Sequence, residues 1–492
     1  MPSRNGETSL LVARHAERAV LDEALHSRQA ELLALYGRRR VGKTFLIRQV
    51  LAEHICFELV GMHEVSLRTQ LQSFATSLAR AHASPAALAP PHDWFAAFEQ
   101  LRAFLSPRLT RLNKKQNAGK LVVFFDEVPW LASRRSGFLS AFEHFWNAWA
   151  VQQPKLLVVL CGSAASWMLE NLVRQRGGLH NRVTRRLRVE PFSLADTEEL
   201  LLSRGVRLGR YQTLLLTMAL GGVPHYLTQV RRGESAVQAI DRLCFTREGP
   251  LRTEFEHLYA SLFEQADRHE AVVRALAKKR RGLTRTALLE AAKLGSGGAA
   301  TRVLDELEEA GFILQMPRLG RGKREAVYWL SDEYSLFYLT WIEGRRGDVD
   351  WLRRQGTPAW RAWSGLAFEA LALKHVRAIK AALGIAGVET SSGSWERRGT
   401  RDSDGAQIDL IIERADACLN LCELKFSEGP FTVDKAYARE LRRKCDVFRA
   451  ETRSRKALFL TLITTWGVNE NEHSRGLVTT ALTMDALFTR TS

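Results

Sequence analysis

The chain has 492 residues, 46% of them hydrophobic and 25% charged; these are the proportions of folded globular domains, and the length exceeds what one core supports, so about two to four domains are expected. The formal net charge of +17 draws polyanions to the surface, with DNA the expected partner. No apolar stretch is long enough to span a bilayer, residues 1–20 lack the apolar core of a signal peptide, and Cys56, Cys161, Cys244, Cys418, Cys422 and Cys445 are scattered without paired CxxC motifs, so a cytoplasmic protein with reduced thiols and neither zinc nor a membrane partner is expected.

In chain order, the apolar runs 32–36, 55–59, 121–125 and 156–161 read as strands. Helical periodicity fills 67–78 and 94–105, and 84–91, rich in Ala and Pro, reads as a loop. Strands alternating with helices predict an α/β fold around a parallel sheet covered on both faces. Directly after the first strand, Gly37, Arg38, Arg39, Arg40, Val41, Gly42, Lys43 and Thr44 fit GxxxxGK[ST]. Like charges at that density repel unless an anion sits among them. The glycines allow a tight bend that turns N–H groups to phosphate, Lys43 reaches the β- and γ-phosphates, and the Thr44 hydroxyl suits Mg²⁺. The helix that follows directs its positive dipole end at the same phosphates. ATP with Mg²⁺ is the expected guest.

The strand at 121–125 runs into Asp126 and Glu127. Asp126 is placed to hold Mg²⁺ through water, and Glu127 to polarise the attacking water. The strand at 156–161 ends in Gly162 and Ser163; Ser163 either faces the γ-phosphate or, like Ser166, caps a helix. Arg182, Arg185 and Arg186 are candidates for an arginine that stabilises transition-state charge, within the chain or from a neighbouring subunit of a homo-oligomer; a solvated basic face is the other reading.

From 194 to 263 the pattern is helical, broken by Gly221, Gly222, Val223 and Pro224. Three short amphipathic helices follow, the last at 299–310, then a strand, a basic glycine turn at 320–325 and a second strand. That layout predicts a winged helix-turn-helix, as a DNA reader or as an internal packing module. The third helix carries Arg302 but also Asp305, Glu306, Glu308 and Glu309, an acidic face poorly suited to phosphates. A segment running from about 349 to 363 reads as a connection, with a helix after it.

The last part pairs Asp409, near the end of one strand, with Glu423 and Lys425 on the next, where alternation puts both on one face. Asp409 and Glu423 can share Mg²⁺ or Mn²⁺; Lys425 can orient or deprotonate a water; Glu369, on an upstream helix, can extend the acidic cluster. This set is suited to phosphodiester hydrolysis, or remains as a plain Glu423–Lys425 ion pair on an inert scaffold.

The segments LVARHAERAVLDEAL, GRRRVGKT, LVVFFDEVPWL, VVLCGSAASWM, EPFS and GGVPHYL, in that order, resemble the AAA+/STAND-type ATPases of the archaeal ATPase family over roughly residues 10–260. The resemblance implies that Arg14 and Glu17 lie near the adenine, in a box where Ala13 replaces the usual glycine, and that Pro224 and His225 belong to a helical lid near the nucleotide. Gly365, Phe368-Glu369, Trp395, Arg398-Gly399, Gln407-Ile408-Asp409 and Cys422-Glu423-Leu424-Lys425 resemble the PD-(D/E)xK nuclease superfamily, in the version fused behind such ATPases (DUF234-type). It implies a restriction-endonuclease-like α/β core with a mixed sheet. Lys435 and Tyr437, on a following helix, either contact substrate phosphate or form a solvated face. The expected organisation is an ATPase core at 1–193, a helical lid at 194–262, a winged helix at 263–345 and a nuclease-like domain at 355–492.

Overall fold

The computed structural model describes residues 11–83, 88–115, 119–133, 135–174, 181–279, 282–319, 325–344, 351–397, 399 and 405–490. The glycine turn at 320–324, Arg398 and part of the loop at 84–91 lie outside them. The chain forms two compact units, residues 1–190 and 191–492.

The first unit is built on five parallel strands, β1 (Glu31–Tyr36), β2 (Ile55–Val60), β3 (Leu121–Asp126), β4 (Leu156–Gly162) and β5 (Arg185–Arg188), in the order β2-β3-β4-β1-β5. Alternate side chains enter opposite cores. Leu32, Leu59, Val123, Phe125 and Val158 face one side, packed with Phe74, Phe98 and Phe142 of the helices Leu67–Ala81, Trp94–Asn113 and Phe138–Ala148. Leu33, Leu35, Val122, Phe124 and Val159 face the other, against the helices His15–His26 and Lys43–Val50. Continuous apolar runs, rather than alternation, are what a strand buried on both faces requires. β5 was not expected, because Arg185-Arg186-Leu187-Arg188 carries no apolar run. It survives as an edge strand, where only one flank is buried against β1.

The second unit begins with helices Leu194–Ser203, Arg210–Leu220, Pro224–Leu227, Ala236–Cys244 and Glu254–Leu258. Three more, Ala266–Ala277, Arg285–Ala291 and Gly298–Glu309, accompany a small antiparallel sheet of β6 (Leu283–Thr284), β7 (Ile313–Met316) and β8 (Val327–Leu330), ordered β6-β8-β7. The stretch read as a connection is instead core from Trp351 onward. Trp351, Trp360 and Trp363 are buried and pack with Phe337 and Trp341, and the helix there starts at Pro358, capped by Thr357, whose hydroxyl accepts from Trp360 N–H. Tryptophan density, not polarity, marks that segment as interior.

The carboxyl-terminal part is a mixed sheet of β9 (Thr390–Arg397), β10 (Ala406–Arg414), β11 (Cys418–Lys425), β13 (Ala457–Thr464) and β15 (Thr480–Leu482), ordered β15-β13-β11-β10-β9, with β12 (Phe431–Thr432) and β14 (Val468–Asn469) forming a separate pair. The Lys435–Thr452 helix covers one face through Ala438, Leu441 and Phe448, which pack with Leu419, Leu421 and Ile408; the Pro358–Lys374 helix packs on β11.

Candidate functional site

In a parallel sheet the loops after the strands share one edge. The order β3-β4-β1 therefore brings Asp126, Ser163 and the Gly37–Thr44 loop to neighbouring strand ends. Gly37 has φ 147 and no room for a side chain, since a Cβ would meet Val189 O at 2.2 Å; Gly42 has φ 90. Lys43 is buried, and its ammonium donates to Gly37 O at 2.8 Å, Arg38 O at 2.9 Å and Ser163 Oγ at 3.0 Å. Burial pulls its pKa below the ordinary lysine value, against the nearby Cys161, Glu127 and Asp126, which pull it up. A phosphate in the loop would bring the missing counter-charge.

Thr44 Oγ1 donates to Asp126 Oδ2 at 2.6 Å, and Asp126 Oδ1 accepts from Glu127 N–H at 3.0 Å. A hydroxyl and a carboxylate in contact are the hard oxygen donors Mg²⁺ selects, so the pair fits that ion. Glu127 sits at φ 50, in the left-handed region, and accepts from Ser163 through both its hydroxyl and its N–H. Arg38 is buried, Arg39 exposed and Arg40 half-buried with φ 70. Arg14 braces the loop: its guanidinium donates to Val41 O at 3.0 Å and pairs with Glu17 at 2.8 Å. Ala13 takes φ 58, the conformation a glycine serves at that position.

Arg182 is not brought to this site within one chain. Thr184 N–H donates to Leu32 O, which puts Arg182 at the amino edge of the sheet, and the five strand residues from Leu32 to Tyr36 alone span ~13 Å. Arg185 is held at that same edge by Glu23 at 2.8 Å and Glu31 at 3.5 Å. Pro224 and His225 form a short helix of the second unit, with His225 exposed.

In the second unit a cleft of about 630 Å³ is lined by Glu369, Glu396, Asp409, Glu423, Lys425, Arg443 and Lys444, among others. The backbone puts Asp409 there through a bulge: Ile408 faces Trp395 and Ile411 faces Gly393, so Asp409 and Leu410 together oppose Ser394. The β10–β11 ladder stops at Leu410 and Cys422, and Leu424 N–H donates to Asp409 Oδ2 at 3.1 Å instead. Glu423 is 1% exposed; burial first, then the Asp409 charge, push its pKa up to about 7, against Lys444 and Lys425. Its Oε2 accepts from Lys444 Nζ at 2.7 Å and Tyr437 Oη at 3.4 Å and lies 3.9 Å from Lys425 Nζ, while its Oε1 is buried with no hydrogen-bond partner among the described residues. Burial lowers the Lys444 pKa, but the Glu423 and Asp409 carboxylates outweigh it and leave the ammonium firmer than usual. Lys444 and Arg443 escaped the sequence reading; the only signal was that Tyr437 and Lys444 recur at helical spacing on one face. Asp409 and Glu423 are hard oxygen donors that fit a divalent cation, although among the described residues no three His, Cys, Asp or Glu side chains come together as a metal-binding group. All six cysteines are free, and among the described residues no helix is long and apolar enough to cross a membrane.

Residues 11–230 match the family model described as an ATPase domain predominantly from Archaea. An uncharacterized protein of Methanocaldococcus jannaschii is 22% identical over 343 residues, 68% of this chain and 69% of its own. Among solved structures, the Walker-type ATPase PABY2304 of Pyrococcus abyssi matches at TM-score 0.43 and 18% identity, over 67% of this chain and 96% of that one. The ORC2 protein of Aeropyrum pernix, solved in ADPNP and ADP complexes, matches at TM-score 0.39 and 13% identity, over 74% and 96%. The family match, on a phosphate loop at the end of β1, makes residues 11–230 an ATP-binding P-loop ATPase domain of the archaeal type.

Proposed function

We propose that this chain is an ATP-controlled, metal-dependent DNA nuclease. The observation that carries the second half of that reading is the convergence of Asp409, Glu423 and Lys425 on one cleft, where the buried Glu423 carboxyl, its pKa pushed up to about 7, stands beside a second carboxylate and two lysines. A divalent ion on Asp409 and Glu423 would supply Lewis-acid activation of a phosphodiester. Lys425 then orients the attacking water, and Glu369 lines the approach. Arg443 and Lys444 extend the cleft along the Lys435–Thr452 helix, which carries six Lys and Arg against three acidic residues, a track suited to a phosphate backbone. In the ATPase domain Thr44 and Asp126 would hold Mg²⁺ and Glu127 would polarise water, and Arg182 would act on the nucleotide of a neighbouring copy. The three helices and small sheet between 266 and 330 support a winged-helix module. Glu306 on its third helix is engaged by His269 at 2.7 Å, which favours packing over DNA reading.

One observation favours a second reading, a regulatory ATPase switch with an inert cleft: Lys444 Nζ already neutralises Glu423 at 2.7 Å. Purified protein incubated with plasmid, linear and single-stranded DNA plus Mg²⁺ or Mn²⁺, with and without ATP, separates the two. Cleavage lost in Asp409→Ala supports the nuclease; wild-type protein that cuts nothing, or Asp409→Ala that cuts equally well, leaves the switch.

A further inference from the structure

β9 is the edge strand of the carboxyl-terminal sheet, yet its edge is engaged. Just beyond β7, Pro317 O accepts from Ser394 N–H at 3.1 Å and Leu319 N–H donates to Ser394 O at 3.1 Å, a parallel bridge centred on Arg318 and Ser394. Leu319 packs against the sheet's core. Gly393 permits the approach, since a Cβ there would meet Pro317 O at 2.6 Å. Arg318 pairs with Glu396 at 2.7 Å, both side chains about four-fifths buried, and Glu396 lines the cleft.

The position of this bridge matters. Ser394 is the residue that stands alone opposite the Asp409–Leu410 bulge. A bulge leaves a backbone group without its ladder partner and bends the strand, so it persists where neighbouring contacts fix it. Here the fixing contacts come from 317–319, outside the sheet. The same bulge frees the Asp409 carboxylate to take the Leu424 N–H in place of a ladder carbonyl. Movement of 317–319 would therefore let Ser394 shift, loosen the bulge, and let Asp409 swing away from Glu423.

We propose that Pro317–Leu319 is a clamp, and Arg318 a positioning residue, through which the 283–330 module holds Asp409 in its working geometry; this rests on reading the Asp409–Glu423–Lys425 cleft as the nuclease site. Rigid coupling of this kind typically changes a site by about tenfold. The test uses the full chain and two readouts, hydrogen–deuterium exchange of peptides covering 406–425 and plasmid cleavage in Mg²⁺. Arg318→Ala and Gly393→Val should each raise exchange across 406–425 by about tenfold and lower kcat for cleavage similarly, with KM unchanged. Arg318→Glu combined with Glu396→Arg should recover exchange protection that Arg318→Glu alone loses. Arg318→Ala keeps the test open should Gly393→Val fail to fold. Exchange that rises across 390–397 but stays at the wild-type rate across 406–425 overturns the clamp. A wild-type protein that cuts no DNA sinks the nuclease reading alone, and the exchange comparison still decides the clamp.

Discussion

Ser163 and Glu127 are joined twice: the serine hydroxyl donates to one carboxylate oxygen at 2.6 Å and its N–H to the other at 3.2 Å. Both oxygens of Glu127, the group proposed to polarise water, are thus oriented from the end of β4, and its left-handed backbone is held by the same contacts. Removing the hydroxyl leaves the N–H bond but loses one charge-assisted contact, worth about 1.5–3 kcal/mol. Ser163→Ala should lower kcat for ATP hydrolysis by roughly tenfold or more, with KM for ATP within about threefold of wild type. Steady-state kinetics check this; an unchanged kcat would remove Ser163 from the site.

Lys43 carries a buried charge whose partners are two carbonyls and a hydroxyl rather than a carboxylate. Such a charge costs stability without nucleotide and is compensated when phosphate arrives. Lys43→Met should therefore melt at or above the wild-type temperature without ligand. With ATP at about a hundred times the wild-type Kd, wild-type protein should gain about 2.7 kcal/mol and the variant almost none. Paired thermal melts with and without ATP and Mg²⁺ give both numbers; equal ligand shifts would mean that the loop does not bind phosphate through this lysine.

The contrast between these residues and others shows what a sequence reveals. Gly37 to Thr44 form one contiguous turn, so the bend, the cations and the following helix are all local. Asp126 and Ser163 end apolar runs, and a parallel sheet gathers such ends without further information. Where Arg182 lies relative to the site depends on where β5 joins the sheet, and an arginine-rich edge strand has no apolar signature. Trp351 was read as a connection because polar neighbours hid three tryptophans whose burial is decided by packing far along the chain. Lys444 acts on Glu423 only because a helix lies across the sheet at a particular angle, which no local pattern encodes. The Asp409 bulge is similarly invisible, since it is set by two strands and a segment outside the sheet.

Gly222 and Phe192 join two motifs of the second unit, GGVP and EPFS. Phe192 N–H donates to Gly222 O at 2.6 Å, and a Cβ on Gly222 would lie 1.9 Å from Phe192 O. Backbone on both sides leaves nothing flexible to yield. Gly222→Ala should cost about 3 kcal/mol or more and lower the melting temperature of this unit by about 6 °C or more. Gly209→Ala, with open space around its Cβ, is the control and should melt with wild type.

His375 gives the second unit an acid-sensitive point. Its ring is half-buried; Nε2 accepts from Leu194 N–H at 3.2 Å, which leaves Nδ1–H to donate to Leu371 O at 2.8 Å. The bond from Leu194 needs the neutral ring, since a protonated Nε2 cannot accept; the bond to Leu371 survives protonation. Burial lowers its pKa from 6.5 to about 4, with Lys374 adding to the fall and Asp196 and the Leu371 carbonyl opposing it. A folded-state pKa below the unfolded one means that the unfolded chain takes up the proton first. The stability due to this residue is therefore full above pH ~6.5 and drains away as pH falls toward ~4, by an amount on the order of 3 kcal/mol. His375→Gln carries no ring to protonate, so its denaturation midpoint should be lower than wild type at pH 7.5 and should fall less steeply between pH 6.5 and 4. Urea melts across that range test the sign directly: a wild-type midpoint that held constant, or rose, on acidification while the variant behaved identically would show that the ring is already charged in the folded protein or does not lie between these helices.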